Sequence, residues 1–435
     1  MPELKENAGE LSKKSRFAMR DVLVMGQLAL SLVMLTVAGL FVRGAAQAAN
    51  VDPGFTFKRG VMINMDASLA GRTQDQTRVL YQRVADAVRG VPGVKAAGFA
   101  SIMPFGEITE TRDVQKPGPT IEGARGGGKS MDIGGGSSPR DKGNLVESIA
   151  TTIGTGYFDA LDLKVTRGRD FTDTEVFSTT PTHVVIIDEV LASKLFPNEQ
   201  PVGQQIQYRG RLATDPPIVL DVVGVVPGLK HNLTDKAPVA HIYTPLSQDF
   251  RSDIYFHVNT SATTPEAEAA MLPTLRSALR AVDSSLPIMR IETRQDYANR
   301  NFMLAVVRLG AAIFGVFGAV ALVLATIGVY GVKSYIVSRR TREIGIRMAL
   351  GASSGNVVSL IIKEGVVLSS IGLALGLGLS ILAGIGVSNL LFQGSSFDPI
   401  AMGAALTVLV AATIAASWIP ARRATGIAPT TALRS

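Results

Sequence analysis

LGAAIFGVFGAVALVLATIGVYGV, residues Leu309 to Val332, holds 24 consecutive positions without a charged side chain. A bilayer core of ~30 Å needs ~20 helical residues at a rise of ~1.5 Å each, so this run is long enough to cross it. Three more runs meet the same length: Val22 to Val42 with 21 residues, Gly365 to Phe397 with 33, and Pro399 to Ala421 with 23. The third is too long for one span, and its helix is expected at Val366 to Leu391. Buried helices of soluble proteins are usually shorter and amphipathic, so membrane spans are the reading of all four. The chain is 46% hydrophobic and only 18% charged, and the apolar residues are blocked rather than dispersed.

The flanks of these runs set their orientation. Lys5, Lys13, Lys14, Arg16 and Arg20 precede the first, while Lys333, Arg339, Arg340, Arg342 and Arg347 follow the second. Arg422, Arg423 and Arg434 follow the fourth, and the third-to-fourth connection, Phe392 to Pro399, has no Lys or Arg. Basic loops stay in the cytoplasm, so residues 1–21, 333–365 and 422–435 are expected inside. Residues 44–308 are then extracytoplasmic. The spans between them are 22–43, 309–332, 366–391 and 399–421. The first run follows basic residues and precedes the small residues Ala45 to Ala49, as a signal peptide does. Its apolar core exceeds the ~7–15 residues of such a signal, which favours an uncleaved helix. The net charge of +7 fits basic rims on anionic lipid. No basic patch carries interleaved aromatics, so nucleic acid is not an expected partner. With no cysteine, the chain has neither disulfides nor thiolate chemistry.

Residues 44–308 alternate strand and helix patterns. Val61 to Met65 reads as a strand, Gln74 to Arg89 as an amphipathic helix, and Lys95 to Ile102 as a strand. The order returns in Ile254 to Val258, a helix over Pro265 to Val282, and Pro287 to Ile291. A split α/β lobe over 55–105 and 250–292 is therefore expected, with a β-rich lobe inserted at 146–248. Pro104 to Gly143, dense in Gly, Pro and Ser, reads as a loop. From Thr293 through Val332 there is no Pro, which suggests a single stalk helix of ~60 Å or one broken near Phe302.

Several matches to catalytic patterns fail on context. Gly123 to Ser130 (GARGGGKS) fits the P-loop pattern, and Val184 to Glu189 resembles a Walker B strand. A P-loop needs a strand before it and a helix N-terminus after it, and MDIGGGSSP, from Met131 to Pro139, cannot start a helix. Gly351-Ala-Ser353-Ser-Gly355 fits a nucleophile elbow but no His follows it. His183, His231, His241 and His257 lack metal-ligand spacing. Neither enzyme activity, metal nor cofactor is expected.

RRTREIGIRMALGA, from Arg339 to Ala352, places Ile344, Met348 and Ala352 on one helical stripe and Arg340, Glu343 and Arg347 on another. A short helix at the inner face fits, docked on a partner or lying on lipid. Gly372, Gly376 and Gly378 allow another helix to approach, within the subunit or across a dimer.

Arg342 to Ala352 resembles the cytoplasmic signature of the MacB/FtsX-like permeases, membrane subunits of type VII ABC systems. Asp52-Pro-Gly-Phe55, Gly156-Tyr-Phe158 with Gly168-Arg169, Val184 to Glu189, Leu195-Phe-Pro197, Pro201-Val-Gly203, Val223 to Val226 and Pro429 to Arg434 resemble family motifs in the same order. The resemblance implies four transmembrane helices, a MacB-like periplasmic core domain, and residence in the bacterial inner membrane as a homo- or heterodimer. It implies a coupling helix at Arg340 to Leu350, with Arg340, Arg342, Glu343 and Arg347 contacting an ABC ATPase supplied in trans. The activity implied is export or mechanotransmission, relaying ATPase motion to the outer domain. The lead from Lys13 to Asp21 is similar to the second half of the duplicated orphan permeases of acidobacterial type. That implies half of a larger permease, or an orphan that acts on an extracytoplasmic partner without an ATPase.

Overall fold

The computed structural model describes residues 19–49, 59–104, 106, 108–119, 128–131, 145–209, 216–232, 235, 237–300, 302–350, 353–388 and 398–425. The chain divides into two units, Met1–Ala46 with Val306–Ser435, and Gln47–Ala305.

The second unit begins with β1 (Val61–Asp66), α2 (Gln74–Arg89) and β2 (Val94–Ala100), after the helix α1 (Met19–Ala49). It ends with β11 (Asp253–Thr260), α6 (Pro265–Val282), β12 (Ile288–Thr293) and α7 (Arg294–Asn299). The strands lie in the order β12-β1-β11-β2, each antiparallel to its neighbour. Two βαβ units thus interlock, each lending a strand to the middle of the other, as in a split βαβ fold. Helix formation is local: Thr73 caps α2 in a capping box with Gln76, and Thr264 with Pro265 opens α6. The buried faces of α2 and α6, with Leu80, Val84, Val88, Leu275 and Leu279, pack on Ile63, Phe99 and Phe256 of the sheet.

The inserted lobe comprises β3 (Ile108–Gln115), β4 (Gly128–Met131), β5 (Val146–Ile153), α3 (Tyr157–Ala160), β6 (Arg167–Gly168), α4 (Asp173–Phe177), β7 (Val184–Asp188), α5 (Glu189–Leu195), β8 (Gln205–Tyr208), β9 (Ile218–Val226) and β10 (His241–Pro245). Its strands run β5-β10-β7-β9-β8-β3, and β3 pairs back to β5. The ring is closed, which removes sheet edges, and Val114, Ile187, Ile206, Val222 and Ile242 are buried in its apolar core.

Closure corrects the reading of 104–143 as loop. β3 was hidden because two of its inward residues are charged, Glu110 and Arg112, both buried, which breaks the apolar alternation ahead of Val114. Arg251 donates to Glu110 Oε1 and Oε2 at 2.7 and 2.8 Å, and Arg112 to Glu110 Oε1 at 3.2 Å and to Asp249. The Arg112 guanidinium also lies 4.6 Å from the Tyr208 ring centroid. Most of the Gly-rich segment, 120–127 and 132–144, lies outside the described residues.

The first unit holds α1 (Met19–Ala49), α8 (Phe302–Arg339), α9 (Thr341–Ala349), α10 (Ser354–Ser388) and α11 (Pro399–Thr425). All but α9 contain a stretch long and apolar enough to cross a membrane. Leu28 and Leu32 of α1, Ala325 and Val329 of α8, Leu373 of α10, and Leu409 of α11 share one buried cluster. The outer faces stay apolar where no helix covers them, as at Val316, Phe317 and Leu324 of α8 and Leu375 and Leu382 of α10. That is the pattern of helices solvated by lipid. α10 starts well before Val366, because Ser353 Oγ accepts from Asn356 N at 3.3 Å and caps it.

No single helix runs from Thr293. β12 extends to Thr293, paired with Val61 of β1, and the Thr293 side chain then caps the separate helix α7. α8 opens at Phe302, and its 38 residues still measure ~57 Å, about twice a bilayer core.

Candidate functional site

The residue set anticipated for partner contact sits on and beside α9. α8 ends at Arg339, Arg340 occupies the N-cap of α9, and the helix runs nine residues before Leu350 closes it. Ile344 and Met348 turn inward onto Val337 of α8, Val357 and Ile361 of α10, and Ala421 of α11. Gly345 is buried on the same side. The stripe of Ile344 and Met348 is therefore spent on the chain's own helices.

The outward face carries Arg342, Glu343, Ile346, Arg347 and Leu350, all exposed. Arg347 Nη2 donates to Glu343 Oε1 at 2.6 Å, an i,i+4 pair about half exposed at both ends. Such a pair contributes only ~0.3–0.5 kcal/mol to the helix. Between the charges stand Ile346, 43% exposed, and Leu350, 83% exposed. Two aliphatic residues are thus held out at i,i+4 with charged neighbours, an apolar centre inside a charged rim. The sequence reading missed this pair. Its spacing was visible, but so was that of Ile344 and Met348 on the opposite side.

Arg340 lines a different feature, a groove of about 250 Å³ between α8, α9 and α10. Glu343 and Arg347 also reach it, with Asn356 of α10, over a floor that includes Val337, Ile344, Val357 and Leu360. Arg342 is absent from that lining.

The three glycines separate. A Cβ on Gly372 would stand 3.0 Å from Met25 O and 3.1 Å from Met25 Cα, and one on Gly376 3.0 Å from Ala29 Cα. These two bring α10 onto the backbone of α1 within a single chain. At Gly378 a Cβ would meet nothing within 4 Å among the described residues, so of the two expected uses only the contact with a second chain is left for that position.

The catalytic look-alikes resolve into scaffolding. Gly128 to Met131 is strand β4, with Lys129 paired to Glu110 in register, so the lysine of the P-loop pattern is in no helix-start cradle. Asp188, at the end of the Walker B look-alike, caps α5 through a bond from Leu191 N at 2.8 Å. Ser353 caps α10. His231 is buried with Nε2 3.0 Å from Thr109 Oγ1, and burial, with His241 nearby, lowers its pKa to about 3. His257 is held well below its ordinary value by burial and then by Arg294. Both are core histidines. Among the described residues no group of three or more His, Asp or Glu could hold a metal. The motifs at 52–55 and 429–434, the segment 13–18, and Gly351 and Ala352 lie outside the described residues.

Known proteins give this geometry its context. The model of the MacB-like periplasmic core domain matches residues 22–273, and that of the FtsX-like permease C-terminal region matches residues 315–429. A macrolide export ATP-binding/permease protein MacB from Neisseria meningitidis serogroup A is 27% identical over 291 residues, 65% of this chain. The chain spans 42% of that protein's length. The uncharacterized ABC transporter permease YvrN of Bacillus subtilis is 27% identical over 375 residues, 82% of this chain and 83% of YvrN. The extracellular domain of the noncanonic ABC-type transporter YknZ, from Gram-positive bacteria, aligns at 17% identity with a TM-score of 0.32. That alignment covers 54% of this chain and 98% of the YknZ domain. With a core-domain match across more than half its length and an FtsX-like match behind it, the chain belongs to the MacB/FtsX-like family of ABC-type membrane permeases.

Proposed function

We propose that the chain is the transmembrane subunit of an ABC-type export or mechanotransmission system, relaying the motion of a separate ATPase to its α/β domain. The observation that carries this reading is the two-sidedness of α9. Its outward face offers Ile346 and Leu350 between charges, while its inward face is keyed to α8, α10 and α11 through Ile344 and Met348. A push on the outer face would reach three spanning helices through close-packed side chains, which transmit displacement rather than absorb it. α8 exceeds the bilayer thickness and can carry that displacement beyond it.

The orientation we propose places both termini and α9 in the cytoplasm and the α/β domain outside, from the asymmetry of Lys and Arg. In this cysteine-free chain, Ser284→Cys should react with an impermeant maleimide in outer-permeabilised cells and Ser338→Cys should not. The reverse labelling overturns the orientation.

The test of the relay is co-purification with each ABC ATPase encoded in the same genome. Truncating a desolvated interfacial charge costs ~2–5 kcal/mol, so Arg347→Glu should weaken one specific partner roughly 30- to 5,000-fold. Ile346→Asp should do the same without altering the charge pair. A helix that only rests on lipid would leave any such binding untouched. No partner for the wild-type chain would favour an orphan protein that acts on an extracytoplasmic partner.

A further inference from the structure

Arg43, in the last turns of α1, is ion-paired with Asp398, the residue that opens α11. Asp398 Oδ1 also accepts from Ile400 N at 3.0 Å and from Ala401 N at 3.2 Å. One carboxylate thus caps α11 and holds the guanidinium. Arg43 falls within the candidate span Asp21–Ala46, where a charged side chain is costly unless it is paired or reaches the polar rim. The two helices are close here, since a Cβ on Gly39 would stand 3.2 Å from Ala401 Cβ.

The same stretch of α1 meets α8 by a different chemistry. Phe41 is buried and stacks on Phe314, with ring centroids 5.5 Å apart and planes at 11°. It lies over Gly310, where a Cβ would stand 2.6 Å from the Phe41 ring. That joint is apolar and closed to water. The joint to α11 is charged, and the Arg43 side chain is 37% exposed. α1 and α8 are the helices that the chain follows into and out of the Gln47–Ala305 unit. They are bound to one another by stacking, and to α11 by a contact that water and salt can open.

α11 also reaches α9. Ala421 is fully buried in the cluster that holds Ile344 and Met348. About 35 Å of helix separates it from Asp398, and a stiff element fixed at both ends carries a displacement from one to the other. We propose that the Arg43–Asp398 pair is a releasable latch. Closed, it ties α1 to α11 and so to α9; open, it lets α1 and α8 move together, free of α11. The latch is a property of the spanning helices, and only its part in a relay rests on the function proposed above. Its test therefore contains no ATPase.

The full chain, which has no cysteine, is spin-labelled in nanodiscs at exposed positions. Val42→Cys with Ile400→Cys reports across the latch, and Val42→Cys with Leu309→Cys across the aromatic joint. Asp398→Asn keeps a capping side chain and removes its charge, while Arg43→Gln removes the other charge. Each should raise the ratio of a longer to the original 42–400 distance roughly 3- to 10-fold, and the 42–309 distance should stay single. The two changes combined should add little beyond either alone, because each already opens the pair. A 42–400 distance unmoved by both single variants overturns the latch, because the pair then holds nothing. Broadening of both distances together overturns it in favour of a general loosening of the helix ends.

Discussion

Replacing Glu110 by alanine is expected to destabilise the α/β domain by about 3–5 kcal/mol, the cost of removing one partner from a buried ion pair. Glu110 is 5% exposed and accepts from both Arg251 and Arg112. Without it, Asp249 alone faces two buried guanidinium groups. The loss falls on β3, the strand that closes the six-stranded ring, so local fraying should spread to β4, β5 and β8. For a domain of this size a change of 1 kcal/mol shifts the melting temperature by ~2–4 °C, and a fall of roughly 10 °C by circular dichroism is expected. The double variant Glu110→Leu with Arg251→Met separates charge from shape. It leaves Arg112 paired with Asp249, and buried pairs replaced together by apolar groups are often neutral. The double variant should therefore regain most of what Glu110→Ala loses. A melting point within about 2 °C of wild type for Glu110→Ala would show that water reaches the cluster and that closure does not depend on it.

The second large effect is expected at Gly376→Leu. The Cβ alone would stand 3.0 Å from Ala29 Cα and 3.1 Å from Ala29 O and Leu32 Cβ. Two of those three atoms are backbone, which no rotamer change can move aside. Extra methylenes in a packed contact cost ~1–3 kcal/mol, and more where backbones must separate. Helix propensity works the other way, since leucine is better than glycine by up to ~1 kcal/mol. The packing term is larger, so the variant should melt lower in detergent. Gly378→Leu supplies the control: nothing among the described residues lies within 4 Å of a Cβ there, the propensity gain stands alone, and stability should hold or rise slightly. Equal behaviour of the two variants would mean that α10 does not rest on α1 in the way the structure places it. A loss at Gly378 with a change in oligomer size would instead show that this position meets a second chain.

The two positions show how a spacing can be legible while its use is not. Gly376 and Gly378 are two residues apart, which turns the side-chain direction by about 200° on an α-helix. One faces α1 and the other faces away. Ile344 and Ile346 on α9 repeat the lesson, because the same two-residue offset puts them on opposite sides. Periodicity identifies two stripes there, and only the cluster of Val337, Val357, Ile361 and Ala421 decides which one is covered.

Features that depend on local length and period were legible from the residues alone. An uncharged run longer than a bilayer is thick has few alternatives to a spanning helix, and a 3.6 period bracketed by β-branched runs reads as βαβ. That was enough for the four spans and the split α/β lobe. The P-loop pattern could likewise be set aside from its flanks. Features that rest on partners distant in the chain became visible in the folded molecule. β3 was illegible because two of its buried side chains are ions, Glu110 and Arg112, held there beside Asp249 and Arg251 more than 130 residues away. The same holds for the break before α8, where pairing with β1 keeps Thr293 extended although its sequence is free to continue as helix. Local signals measure what a segment can form, and burial of its polar groups against distant ones selects what it does form.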